Sequence, residues 1–207
     1  MVKIDDSIPM NIAVWSELLS VSYAMTRRID FSKTKNIALF GDGIMGYITY
    51  IILTRLYKKE VTVFGIDDDK LKMFEGAKTY HFEDYVGRPF DTLIEAVGGR
   101  ASGFAINNMI DLASIGADLI LMGVSEENVP LCTRKVLEKG LSLKGVTRSS
   151  IDDFKAISEL LSLQDVQKDL EKLILSEITI KSVNDVYKAF ELDINNTKLI
   201  GKNLMKF

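Results

Sequence analysis

The chain has 207 residues, 47% of them hydrophobic, which suits a packed domain of some size and excludes a disordered chain. Its net charge of −3, from 26 basic and 29 acidic residues, excludes the basic footprint of a general nucleic-acid binder. A single cysteine excludes an intramolecular disulfide and agrees with a reducing cytoplasm, while the polar start of the chain and its short apolar runs give no expectation of a leader or a membrane partner. In chain order, residues 7–9 read as an entry turn, and residues 12–28 carry a helical pattern with Ile12, Trp15, Leu18, Leu19 and Ala24 near one face. A polar link, residues 30–35, leads into an apolar strand at 37–40, a glycine turn at 41–46, an apolar helix over 44–57 and a second strand at 61–64.

Three aspartates open a helix predicted over 67–76, near its positive dipole end, and residues 78–82 form a short third strand. A buried strand follows at 90–97, closed by Gly98 and Gly99, then a helix at 101–113 and a strand at 117–122 ended by Gly123. The remainder reads as helix 128–139, strand 141–146, helix 152–161, strand 174–180, helix 183–192 and strand 200–207. Strands that alternate with helices imply right-handed crossovers, so the predicted fold is α/β: a Rossmann-type doubly wound parallel sheet with helices on both faces. Residues 1–35 read as a linker and N-terminal helix, 36–173 as the nucleotide-binding domain and 174–207 as a strand-helix-strand appendage.

The stretch NIALFGDGIMG, residues 36–46, organises the rest. Gly41, Asp42, Gly43, Ile44, Met45 and Gly46 fit G-x-G-x-x-G between a strand and a helix, the context that turns a weak pattern into a dinucleotide-binding fingerprint. Gly41 allows the tight turn, Gly43 lets backbone approach a pyrophosphate, and Gly46 lets helix and strand pack closely. The helix start offers free N–H groups and a positive dipole end to phosphate. A glycine turn that binds nothing is the bland alternative. Ligands in such sheets bind at strand carboxyl ends, which adds Gly65, Ile66, Val97, Gly98, Gly123 and Val124 to the candidate site.

The segments SELLSVSYAM, FGDGIMGYIT, DDDKLKMF, EAVGG, LMGVSEENVPLCTRKVLEKGLSLKGVTRSS and GKNLMKF together resemble the zinc-type medium-chain dehydrogenase/reductases. Within that superfamily they look most like the bacterial ribitol-5-phosphate dehydrogenases, also called ribulose-5-phosphate reductases. The resemblance implies an alcohol-dehydrogenase-like oxidoreductase that uses NADPH to make ribitol 5-phosphate for CDP-ribitol and teichoic acid or capsule polymers. It also implies a sugar phosphate as substrate, a cytidylyltransferase acting on the product as partner, and a homodimer in the intact enzyme. Family members begin with a catalytic domain that carries the cysteine and histidine zinc ligands. One histidine and one cysteine do not make such a site, so this chain is expected to be the coenzyme-binding part, with zinc only in the intact two-domain enzyme and little or no turnover by itself. A non-catalytic nucleotide-sensing module is the alternative from another class.

Aligned on the family, Gly65 stands where NAD enzymes place an acid for the ribose 2′-OH, so room and lack of charge there favour NADP, with Lys70 as the cation for a 2′-phosphate. NAD, with Asp67 reaching the ribose, is the alternative. Glu17 matches a glutamate that some polyol-type relatives place near zinc; otherwise it is a helix-surface residue. Arg148, after a strand end, is a candidate clamp for a substrate phosphate or else an exposed loop arginine. His81 reads as a surface or packing histidine near an adenine edge, and Cys132 as a core residue.

Overall fold

In the computed structural model, which describes residues 2–207, the centre is a six-stranded parallel sheet in the order β3-β2-β1-β4-β5-β6. Its strands are β1 (Ile37–Phe40), β2 (Val61–Phe64), β3 (Lys78–Tyr80), β4 (Phe90–Glu95), β5 (Ala113–Leu121) and β6 (Ser142–Gly145). The order reverses between β1 and β4, and that switch point opens a crevice at the strand carboxyl ends.

The pleat divides β1 between two cores. Ile37 and Leu39 pack on one face with Ile48, Ile51 and Ile52, while Ala38 and Phe40 pack on the other with Ala105, Ile106 and Met109. The first face is covered by α2 (Ser16–Tyr23), α3 (Ile44–Ile51), α7 (Ile151–Leu160) and α8 (Gln164–Glu171), and the second by α5 (Ser102–Leu112) and α6 (Thr133–Lys139). Because both faces are covered, β1 is apolar throughout and wholly buried. Across the first core, Arg27 pairs with the buried Asp153, and Arg55 donates to the buried Asp169 at 2.8 Å. Burial pushes the Asp153 carboxyl up, but the bonds from Arg27 and Ser150 outweigh it and hold the group below its ordinary range.

Several boundaries differ from the sequence expectation. The helix predicted over 12–28 breaks into α1 (Met10–Ala13), α2 and a 3-10 segment Ala24–Arg28, because the chain turns at Val14 and Trp15 to bury the Trp15 ring. The helix after β1 continues as a π-helical segment, Ile52–Leu56. The helix predicted over 67–76 is the single turn α4 (Asp68–Leu71), and the one predicted from residue 128 begins only at Thr133. Helix α8 was not predicted at all. β7 (Ile174–Thr179) and β8 (Lys202–Lys206), joined through α9 (Val183–Asn195), form a separate two-stranded parallel sheet.

Candidate functional site

The predicted glycine loop sits at the switch point, with Gly41 buried beneath it. The three glycines are needed for different reasons. Gly41 has φ of +131°, and a Cβ there would lie 2.8 Å from the Ala96 carbonyl oxygen. A Cβ on Gly46 would lie 1.9 Å from the Gly41 carbonyl oxygen, so helix α3 packs on the loop with no room for a side chain. Gly43 differs: its φ is −89° and nothing lies within 4 Å of a Cβ built on it. The packing of the protein itself does not require glycine there. Gly43 is also the N-cap of α3 and supplies no side-chain cap, which leaves the first N–H groups of that helix for an anion.

Beside the loop is a cleft of about 430 Å³, the size of a small-ligand pocket. Gly41, Asp42, Gly43, Gly65, Ile66 and Val97, all expected from the sequence to bind cofactor, are among the residues that line it, together with His81, Phe82, Phe104 and Asn108. Asn108 is buried on α5, and its carboxamide has no protein hydrogen bond among the described residues. It was missed because an asparagine beside Asn107 in a mixed helical run has no pattern that points to a ligand. His81 donates to or accepts from Asp68 at 2.8 Å, a bond that raises its pKa above the ordinary imidazole value. That pairing gives the histidine a structural partner at the rim of the cleft.

The second rim is tied down by a residue the sequence reading passed over. Glu95, the last residue of β4, is fully buried, and its carboxylate accepts from Val97 N at 3.0 Å, Gly98 N at 2.8 Å and Gly123 N at 2.8 Å. Three charge-assisted bonds from backbone make burial of the carboxylate tolerable and lock the β4 loop to the β5 loop. Gly99 N then donates to the Val124 carbonyl at 2.7 Å. Val97, Gly98, Gly123 and Val124 are thereby brought together along one edge of the crevice. An acid ending an apolar strand, as in FDTLIE, was the available signal.

Other predicted residues lie elsewhere. The space above Gly65 does not stand open, contrary to expectation: a Cβ there would meet Asp42 Cβ and Oδ2 at 2.6 Å and Leu71 at 2.8 Å. Asp42 Oδ2 accepts from Ile66 N at 2.7 Å and Asp67 N at 2.9 Å, so the loop acid fills that ground. Asp67 caps α4 instead, accepting from Asp69 N and Lys70 N. Lys70 is half-buried on α4 and does not line the cleft. Arg148 is exposed, with φ of +50°, and its carbonyl accepts from Arg27 at 3.0 Å. Cys132 is exposed rather than in the core, because it precedes the first turn of α6. Glu17 is exposed on α2, and among the described residues no three His, Cys, Asp or Glu side chains are grouped to hold a metal ion. The residues present therefore do not by themselves fit a zinc ion.

No family model matches the chain. The chain is similar to ribulose-5-phosphate reductase 1 of Staphylococcus aureus (strain NCTC 8325 / PS 47), 38% identical over 213 residues, covering 100% of this chain and 62% of the relative. It therefore spans less than two thirds of that relative's length. Among solved structures it resembles S. aureus TarJ in complex with NADPH, at 37% identity and a TM-score of 0.93 over 99% of this chain and 66% of that one. A second structure of S. aureus TarJ matches at the same identity and TM-score, over 99% of this chain and 68% of that one. The chain belongs to the family of the ribulose-5-phosphate reductases and S. aureus TarJ.

Proposed function

We propose that the chain is the NADP(H)-binding part of a cytoplasmic oxidoreductase that reduces ribulose 5-phosphate to ribitol 5-phosphate, the precursor of CDP-ribitol for teichoic acid or capsule polymers. The observation that carries this reading is the open ground over Gly43, at the uncapped start of α3 and beside the cleft. A phosphate belongs there, and the likeness to TarJ solved with NADPH names the phosphate-bearing ligand. NADPH, when bound, supplies the hydride. The backbone of residues 41–46 holds the pyrophosphate, and the apolar cleft between Ile66, Phe82 and Phe104 takes the adenine. The rim that Glu95 organises, with Val97, Gly98, Gly123 and Val124, supports the nicotinamide end, and Lys70 serves a 2′-phosphate.

In the whole enzyme, Arg148 faces the sugar phosphate and Glu17 lies toward the metal, whose ligands come from outside this chain. The uncovered groove between α1 and the β7–β8 sheet, lined by Met10, Val14, Leu204 and Phe207, receives the catalytic domain. The intact enzyme is a homodimer, and its product passes to a cytidylyltransferase. To test this reading, NADPH is titrated into the purified chain by following its fluorescence, and ribulose 5-phosphate is then added. Saturable binding with little or no oxidation is expected from the chain alone, and oxidation from a protein that includes the catalytic domain. Absence of any NADPH binding would overturn the reading.

A further inference from the structure

The connection from β6 to α7, residues 146–150, is pinned at both ends. Val146 N donates to the Leu121 carbonyl at 2.9 Å, which extends the ladder of the large sheet. At the other end Ser150 N donates to Asp153 Oδ2 at 2.6 Å, and Ser150 Oγ accepts from Asp153 N at 3.3 Å, the capping box of α7. Between these anchors Arg148 takes φ of +50°, in the left-handed region that residues with a Cβ avoid. Its carbonyl is held from outside the connection. Arg27 Nη2 donates to it at 3.0 Å, while Arg27 Nη1 bonds the buried Asp153 carboxylate. Arg27 is itself placed through its neighbour, since the Arg28 carbonyl accepts from Lys144 of β6 at 3.3 Å. The Arg148 side chain is exposed and has neither hydrogen bond nor ion pair among the described residues. A long cation kept where the backbone suits glycine, on a tether fixed by other side chains, has its use outside the packing.

We propose that Arg27 is the positioning residue for Arg148: by bridging the Asp153 carboxylate and the Arg148 carbonyl, it fixes the turn from which the Arg148 guanidinium takes the phosphate of the substrate. This rests on the sugar-phosphate reading of Arg148 above and adds what aims the side chain. The planar fork of Arg27 reaches two acceptors at once, which a single ammonium does not. Asp153 needs a cation in any case, because a buried carboxylate without a partner is costly. One guanidinium therefore neutralises the buried acid and carries the turn on it. Arg148 does not line the cofactor cleft, so this device acts on the sugar phosphate and leaves the dinucleotide alone.

The test is Arg27→Lys, which keeps a cation for Asp153 but has no fork to span the Arg148 carbonyl as well. In the protein that includes the catalytic domain, kcat/KM is measured for ribulose 5-phosphate and for ribulose, which lacks the phosphate. The preference for the phosphorylated sugar should fall by about tenfold, mostly through KM, with NADPH affinity within about twofold of wild type. Arg27→Gln combined with Asp153→Asn, which removes both charges of the buried pair, is the second variant and should show the same loss. Arg148→Gly suits the left-handed turn and removes the guanidinium; it should lose the preference too, and adding Arg27→Lys to it should cost less than about twofold more. In the chain alone, the Arg148 Cα and Cβ NMR shifts should leave the left-handed range in Arg27→Lys. An unchanged preference in a folded Arg27 variant, or a full further loss on top of Arg148→Gly, would overturn the proposal while leaving the cofactor reading intact. A wild-type enzyme that does not prefer ribulose 5-phosphate to ribulose would overturn the reading of Arg148 and the proposal with it.

Discussion

The six-stranded sheet and the two-stranded sheet are both parallel, yet they are held in different ways. Every residue of β1 is buried, whereas no residue of β7 or β8 is. Helices close both faces of the large sheet, and the ladder runs on past the strand ends, with Gly41 N donating to Phe64 O at 2.9 Å and Ala96 N to Phe40 O at 2.8 Å. The small sheet keeps partly open faces next to exposed Met10, Val14 and Phe207. A parallel sheet is stable when both faces are covered. The large sheet therefore holds the loops at its strand ends with its own residues, and the small one keeps open surface.

The largest expected effect belongs to the large sheet. Gly46→Val places carbon on the Gly41 carbonyl, and the loop and helix must part. The loss should be about 3 kcal/mol or more, with failure to fold as the extreme, read by urea unfolding. A folded Gly46→Val protein of wild-type stability would mean that α3 does not pack on the loop as described.

Next comes Glu95→Ala, which leaves the amides of Val97, Gly98 and Gly123 without their acceptor. A loss of about 3 kcal/mol is expected, together with weaker NADPH binding, because the β4 and β5 loops come apart. Glu95→Gln keeps the shape and should lose less. Equal stability of wild type and Glu95→Ala would show that the loops are joined by other contacts.

On the small sheet the same kind of change should barely register. Phe207→Ala removes a ring that is 92% exposed, so unfolding should move by no more than about 0.5 kcal/mol. A loss comparable with that of Glu95→Ala would show the small sheet to be closed in solution and would erase the contrast.

The smallest effect is the titration of His81, the only histidine, followed by NMR. Its bond to Asp68 favours the charged ring, so the midpoint should lie above the ordinary value of 6.5 and return toward it in Asp68→Asn. Because the folded-state value is the raised one, this contact stabilises the fold fully below the ordinary value and is lost as pH rises through the raised one. A midpoint at or below 6.5 would remove the contact.

How much of this was legible in the sequence depends on whether the cause is local. Strands β1 and β2 were placed to the residue, because short runs of apolar and β-branched side chains, each ended by a glycine, admit little else. The glycine loop was legible from its own spacing between a strand and a helix, which also gave each glycine its expected role, and the surrounding atoms add the close contacts at Gly41 and Gly46. Helix α8 was hidden because QDVQKDLE is mostly polar and buries chiefly Val166, Asp169 and Leu170. Asp42 and Glu95 were illegible as anchors for a different reason. Asp42 holds two amides that follow β2, and one of the three on Glu95 follows β5, and adjacency in a sheet is not written in spacing along the chain.

The most direct measurement replaces Gly43, the one loop glycine with open space around it. Gly43→Val should fold with close to wild-type stability, since its side chain meets no protein atom within 4 Å at Cβ, and it should lose NADPH binding by a hundredfold or more, on the order of 3 kcal/mol. Thermal unfolding and NADPH titration on the same preparation give both readings. A folded Gly43→Val protein that binds NADPH as wild type does would contradict the assignment of this loop as the pyrophosphate site.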